Sequence, residues 1–173
     1  MLNEGDSKIH IHQVDITQLD VDAIVNAANE RLAPGGGVCG AIHRAAGPEL
    51  ARACTALGGC PTGEARITPG FDLMARHVIH AVGPVWHGGA RDEDRLLAGC
   101  YRHSLALARD NGLASIAFPA ISTGIFGYPL ERATDIAVDT VRAVLSQDET
   151  ITRVIFAVFG TEVEAAYRTA LGR

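Results

Sequence analysis

Two glycine-bearing stretches hold the residue types best suited to chemistry. One is Asn26-Ala-Ala-Asn29 with the downstream run Gly35-Gly-Gly-Val-Cys-Gly40, and the other is Ser122-Thr-Gly-Ile-Phe-Gly127. Each follows a short apolar strand pattern, Ala23 to Val25 and Ser115 to Pro119, and each leads into an apolar helical pattern. Backbone without side chains, placed just before a helix N-terminus, presents N–H groups and a positive dipole end to an anion. Two such cradles suit one ligand with a diphosphate between two sugars. The second loop also serves as a tight turn, with Pro129 as a first-turn residue for the helix behind it.

Other anion-loop chemistries fit less well. Gly35 to Gly40 satisfies the dinucleotide fingerprint literally, but nine residues separate it from Val25, and no acidic strand end follows to hold a ribose. No Walker lysine follows either loop, so P-loop nucleotide hydrolysis is unsupported.

Several single residues carry two readings. Asp15, in Val-Asp-Ile-Thr, is a common helix or turn cap; it could also accept from an exocyclic amine such as adenine N6. Cys39 begins the helix after the glycine run. It reads as a small semi-buried filler or as a thiol activated by the helix N-terminus. His10 and His12 share a strand face without a third ligand at sensible spacing, so no metal is expected. His77 and His80 fall on opposite faces of a strand. His43 reads as structural, although its position behind the glycine loop leaves an acid–base role open.

The elements that must position these residues follow from periodicity. Lys8 to Val14 alternates like an edge strand, and Asp20 to Val25 leads into a short buried one. Helices are expected over 37–46 and 49–57, strands over 63–68 and 76–82, and a loop from Trp86 to Ala90. A long helix over 92–110 places Leu97, Tyr101, Leu105 and Ala108 on one face and stops at Asn111-Gly112. A helix over 130–145 turns Ala133, Ile136, Ala137, Val141 and Val144 to the core. Arg153 to Phe159 is almost continuously apolar, as in a central strand, and 161–171 closes the chain as a helix. Six strands alternating with four or five helices predict an α/β fold, a three-layer α/β/α sandwich around a mixed sheet. In such sheets ligands bind beyond the carboxyl ends of the strands, where the two glycine loops can meet.

Composition narrows the function classes. A chain of 173 residues that is 47% hydrophobic builds one domain with a full core. A net charge of −5 gives no support to broad capture of nucleic acid. It also means that a phosphate would be held by backbone donors. No apolar run reaches membrane-spanning length, and the polar start, Met1 to Lys8, lacks a signal-peptide core. Its four cysteines form neither a CxxC pair nor a disulfide framework. A reducing, cytoplasmic setting is the expectation.

Taken together, the motifs resemble the macrodomain family, and within it the MacroD-type ADP-ribose-binding and hydrolysing enzymes. The resemblance spans Ile9 to Leu171 as a single domain. It rests on Val14-Asp-Ile-Thr17, Val25-Asn-Ala-Ala-Asn29, Gly35-Gly-Gly-Val38, Gly40-Ala-Ile-His-Arg-Ala-Ala-Gly-Pro48, Cys60-Pro-Thr-Gly63, His80-Ala-Val-Gly-Pro-Val-Trp86 and Phe118-Pro-Ala-Ile-Ser-Thr-Gly-Ile-Phe-Gly-Tyr-Pro129.

The resemblance implies site roles. Asp15 would hold adenine N6 with the Ile16 backbone nearby, and Phe159 would stack on the base. Ser122, Thr123, Gly124, Ile125 and Phe126 would wrap the diphosphate. Gly35, Gly36, Gly37 and Val38 would lie along the distal ribose and its phosphate, and Asn29 would hydrogen-bond that ribose. It also implies ADP-ribose, ADP-ribosylated proteins and O-acetyl-ADP-ribose as partners, with no cofactor and no obligatory metal. Two departures stand out. Pro34 replaces the first of four glycines, removing a donor and stiffening the loop. Cys39 replaces the aspartate that, with Asn29, positions the attacking water; a thiol is a poor acceptor beside a carboxylate. Slow ester hydrolysis is the leading expectation and pure ADP-ribose reading the alternative; a Cys39 thiolate attacking the distal ribose is a third.

Overall fold

The computed structural model describes residues 4–172. Six strands form one sheet in the order β1-β6-β5-β2-β4-β3: β1 Ile9–Gln13, β2 Ala23–Ala28, β3 Ala65–Pro69, β4 His77–Val82, β5 Ser115–Phe118 and β6 Arg153–Val158. All neighbours are parallel except β3, which pairs antiparallel with β4. The helices are α1 Gly37–Ala46, α2 Glu49–Leu57, α3 Glu93–Asp110, α4 Leu130–Leu145 and α5 Thr161–Leu171.

Alternation along the strands divides the core in two. Val25, Ile79, Phe118 and Phe156 point to one face and meet α3, α4 and α5 through Leu97, Tyr101, Leu105, Ala133, Val138 and Tyr167. Their chain neighbours Ile24, Val78, Ala117 and Ile155 point to the other face and meet Ile42 of α1 with Leu50 and Cys54 of α2. This is the three-layer sandwich expected from the apolar periods. Each fully buried large apolar side chain contributes about 1.5–3 kcal/mol. Tyr101, Phe118, Phe156 and Tyr167 form a contiguous ring cluster, with Phe156 and Tyr167 centroids 4.6 Å apart.

One expectation shifts. β6 is interior but lies one strand in from the edge, not at the middle of the sheet. Its apolar run reflects flanking by both β1 and β5, which buries it on both faces. In α1 the buried positions are Cys39, Gly40, Ile42 and Ala46, while Ala45 faces solvent. Cys39 therefore sits on the core side of the helix that opens the glycine loop.

β1, β6, β5 and β2 are consecutive and parallel, so their carboxyl ends share one edge of the sheet. The segments leaving those ends carry Ile16, Phe159, Ser122 to Phe126, and Asn29. Sheet order thus gathers residues from four distant parts of the chain.

Candidate functional site

A cavity of about 410 Å³ opens at that edge, lined by Ile16, Ala27 to Asn29, Gly35 to Cys39, Pro119, Ala120, Ser122 to Phe126, Ala157 to Phe159 and Val163. Both glycine loops line it, as does every predicted site residue except Asp15. No Asp, Glu, Lys, Arg or His is in the lining. Among the described residues, the N–H groups of Gly35, Gly36, Gly37, Ser122, Gly124, Ile125 and Phe126 donate to no backbone or side-chain acceptor. The Ser122 hydroxyl is also buried without a partner, and its backbone has φ +68°. Buried polar groups are normally satisfied, so the Ser122 hydroxyl awaits an acceptor, and the N–H groups of Gly35 to Gly37, Gly124 and Ile125, on exposed residues, are open to the same ligand. Ile125 is 98% exposed and Phe159 67% exposed at the rim. Apolar groups held in water beside a cavity are available to cover a flat or apolar part of its occupant.

Asp15 takes its capping role. Its Oδ1 accepts from Thr17 N at 3.0 Å and Thr17 Oγ1 at 2.7 Å, closing the short turn Ile16–Gln18. Phe126 is half-buried, and the second glycine loop is anchored by its buried neighbours Ile121 and Tyr128.

Asn29 is held by its own loop. Its Nδ2 donates to Ala33 O at 2.9 Å and its Oδ1 accepts from Ala33 N at 3.0 Å. This staple shapes the chain between β2 and the glycine run and leaves the second Nδ2 hydrogen uncommitted.

Cys39 is 5% exposed, with Sγ 3.8 Å from Ala33 O and 3.7 Å from Asn26 Nδ2. Behind it runs a buried polar chain. Asn26 Nδ2 lies 3.1 Å from His80 Nδ1, and His80 Nε2 lies 3.0 Å from Thr68 Oγ1. An amide nitrogen only donates, so His80 Nδ1 accepts and its proton sits on Nε2, facing Thr68. The Cys54 sulfur is 3.6 Å from the same Nε2, and burial with the nearby Cys39 pushes the Cys54 thiol up to about 11. Asn26 and His80 escaped the sequence reading as site-supporting groups. Their signal was polar residues inside otherwise apolar strand runs.

Burial, with a smaller contribution from His43, lowers His80 to about 4 from its ordinary 6.5. Between those values the unfolded chain binds a proton that the folded one refuses. Stability therefore falls as pH drops through this window, by about 3 kcal/mol in all. Thermal melts from pH 7 to pH 4 should show a shallower decline for His80→Gln than for the unaltered protein.

Gly40 lets α1 pass against the glycine loop: a Cβ there would lie 2.5 Å from Gly35 O. Gly40→Ala must displace the loop. At about 1–3 kcal/mol for overpacking, the expected fall in melting temperature is roughly 5 °C, readable by calorimetry.

Comparison with known proteins agrees with this geometry. The Macro domain family model matches residues 25–137. The chain belongs to the macrodomain family. It is 58% identical over 163 residues to the macro domain-containing protein CT2219 of Chlorobaculum tepidum, covering 94% of this chain and 95% of that protein. An O-acetyl-ADP-ribose deacetylase of Klebsiella pneumoniae is 56% identical over 161 residues, covering 91% of this macrodomain and 92% of the enzyme. Among solved structures, the Oceanobacillus iheyensis macrodomain with ADP superposes at a TM-score of 0.90 with 43% identity, over 94% and 88% of the two chains. A mutant of that protein with ADPR also scores 0.90, at 42% identity, over 94% of this chain and 90% of that one. The three-layer architecture of this macrodomain is thus the family fold.

Proposed function

We propose that this macrodomain binds ADP-ribose in the cavity at the carboxyl ends of β1, β6, β5 and β2 and slowly hydrolyses ADP-ribosyl esters. The substrates are O-acetyl-ADP-ribose and mono-ADP-ribosylated acidic side chains of proteins. One observation carries the reading: two sets of uncommitted backbone N–H groups line one cavity that holds no charged side chain. Such a wall suits a diphosphate held by oriented amides. The similarity to an O-acetyl-ADP-ribose deacetylase and to a macrodomain solved with ADPR supports the choice of ligand.

In this reading Ile16 and Phe159 flank the adenine, the Ser122–Phe126 loop wraps the diphosphate, and Gly35 to Val38 with Asn29 take the distal ribose. Asp15 keeps its cap on Oδ1 and offers Oδ2 to the adenine amine. The lining contains no carboxylate or imidazole to act as general base. Rate enhancement then comes from positioning and from oriented donors around the reacting ester, with the ligand's own diphosphate as the base for water. The four free, buried cysteines fit a reducing compartment, and the cytoplasm is the proposed location.

The second reading is a pure ADP-ribose reader. It is favoured by Cys39, whose buried sulfur meets Ala33 O and Asn26 Nδ2 where the MacroD-type pattern has a carboxylate. The deciding experiment incubates the protein with an acceptor carrying ester-linked mono-ADP-ribose, alongside calorimetric titration with ADP-ribose. Slow, complete loss of the label is the expected result. Saturable ADP-ribose binding with no label loss would establish the reader, and absence of ADP-ribose binding would overturn both.

A further inference from the structure

A brace outside the cavity holds the second glycine loop. Within itself that loop is closed by Thr123 N and Gly127 N donating to Ala120 O and Gly124 O, and by Tyr128 N donating to Ser122 O. Its tip at Ile125 is open to solvent. The contacts that fix it from outside come from the segment after β4. A Cβ at Gly83 would lie 2.3 Å from Ser122 Oγ and 2.6 Å from Ile121 Cγ2, so the side chains of the loop's first residues lie directly against the Gly83 backbone, in space a larger residue would need. Three residues on, Trp86 N donates to Phe126 O at 2.9 Å. The Trp86 ring packs on Tyr128 at 4.7 Å between centroids.

The Trp86 segment is an irregular loop, and such a loop needs its backbone donors collected. Glu93, at the first position of α3 and 1% exposed, does this. Its carboxylate accepts from His87 N at 2.8 Å, Gly89 N at 2.9 Å and Arg91 N at 2.5 Å. Burial alone would raise this carboxyl. The three donors, with its own N–H, outweigh burial and bring it down to about 2. The next residue, Asp94, closes the far side: it accepts from Tyr128 OH and from Arg132 Nε at 2.9 Å. The Arg132 guanidinium in turn lies 5.2 Å from the centre of the Trp86 ring. Of two adjacent acids at one helix start, Glu93 thus holds the Trp86 segment that abuts the loop and Asp94 holds Tyr128 behind it, and neither lines the cavity.

We infer that Glu93 is a positioning residue: through the Trp86 segment it sets the place of the Ser122–Phe126 amides and so the affinity for a diphosphate. This rests on the ADP-ribose reading for the identity of the ligand, but not for the mechanical link. Glutamine at this position keeps the shape, loses the charge and turns an NH₂ group toward donors.

The test uses the Glu93→Gln protein in two measurements. In the ligand-free protein, hydrogen exchange at the Trp86 and Tyr128 amides should speed about tenfold, with α4 and β6 amides unchanged. In titrations, the Kd for ADP-ribose should rise about fivefold, roughly 1 kcal/mol, while the Kd for adenosine, which has no diphosphate, stays the same. Unchanged exchange and unchanged ADP-ribose affinity would overturn the proposal. So would an equal loss for adenosine and ADP-ribose, which would mean general damage. If the unaltered protein does not bind ADP-ribose, the ligand reading fails, and the exchange experiment alone decides the brace. Should Glu93→Gln not fold, Glu93→Asp keeps the charge, falls short of one donor, and should show the same split with smaller factors.

Discussion

Replacing Asn29 with alanine should lower the single-turnover rate of ADP-ribosyl ester release about a hundredfold, while the Kd for ADP-ribose rises only about threefold. The disparity follows from what the side chain does in the folded protein. Both its amide atoms hold Ala33, at 2.9 and 3.0 Å, so the segment before the glycine run is preset before ligand arrives. Asn29 lines the cavity beside Gly35, where a Cβ would come within 3.9 Å of its Nδ2, so the remaining amide hydrogen is available to a ligand. Alanine removes a donor to the distal ribose and releases the staple together. Ground-state binding is spread over two loops of amides and tolerates this loss. The reacting carbon depends on the orientation of one sugar and does not. Loss of the staple should also cost about 1–2 kcal/mol of stability, visible as a lower melting temperature. Rate and Kd changing by the same factor would show that Asn29 only shapes the loop.

The opposite direction is expected at Cys39. Cys39→Asp should raise the single-turnover rate about ten- to thirtyfold, below the full contribution of about a hundredfold or more from a well-placed general base, because the surroundings are packed around a thiol. The protein is already arranged to receive the carboxylate. Asn26 Nδ2, 3.7 Å from Sγ, is a donor held in orientation by His80 Nδ1 at 3.1 Å. It would pair with one carboxylate oxygen and leave the other toward the cavity. Burial raises the pKa of the new acid, bringing it closer to the working pH as a base. The same charge repels the ligand's diphosphate, so the Kd for ADP-ribose should weaken about threefold. Rate and affinity moving in opposite directions is a signature that a change in folding yield cannot imitate. An unchanged single-turnover rate would mean that this side chain has no part in the chemistry. Cys39→Ala should leave the slow basal rate within about twofold, because the thiol's proton faces Ala33 O.

Much of this was legible along the chain because it is local. Helix bounds at 37–46, 49–57, 130–145 and 161–171 follow from the 3.6-residue apolar period and from Gly, Pro and Asn stops. The strands followed from alternation and β-branched runs. Both glycine loops were visible because phosphate cradles are built from backbone and so are written as a lack of side chains. Residues near the loops but supplied by other segments were not visible. Ala157, Val158 and Val163 line the cavity only because β6 lies between β1 and β5. Glu93 braces a loop some thirty residues downstream only because the Trp86 segment it holds packs against that loop, with Trp86 N donating to Phe126 O.

The sequence by itself determined the elements, the two anion loops and the absence of a carboxylate at position 39, since these depend on dihedral preference, period and residue type. Tertiary structure alone decided what those residues are free to do. It committed Asp15 Oδ1 to Thr17, tied Asn29 to Ala33, and turned Cys39 inward against Asn26 and His80. The physical reason is that hydrogen-bond partners are chosen among groups brought within about 3 Å by sheet order and helix packing. That choice depends on contacts between residues far apart in the chain, which no local pattern encodes.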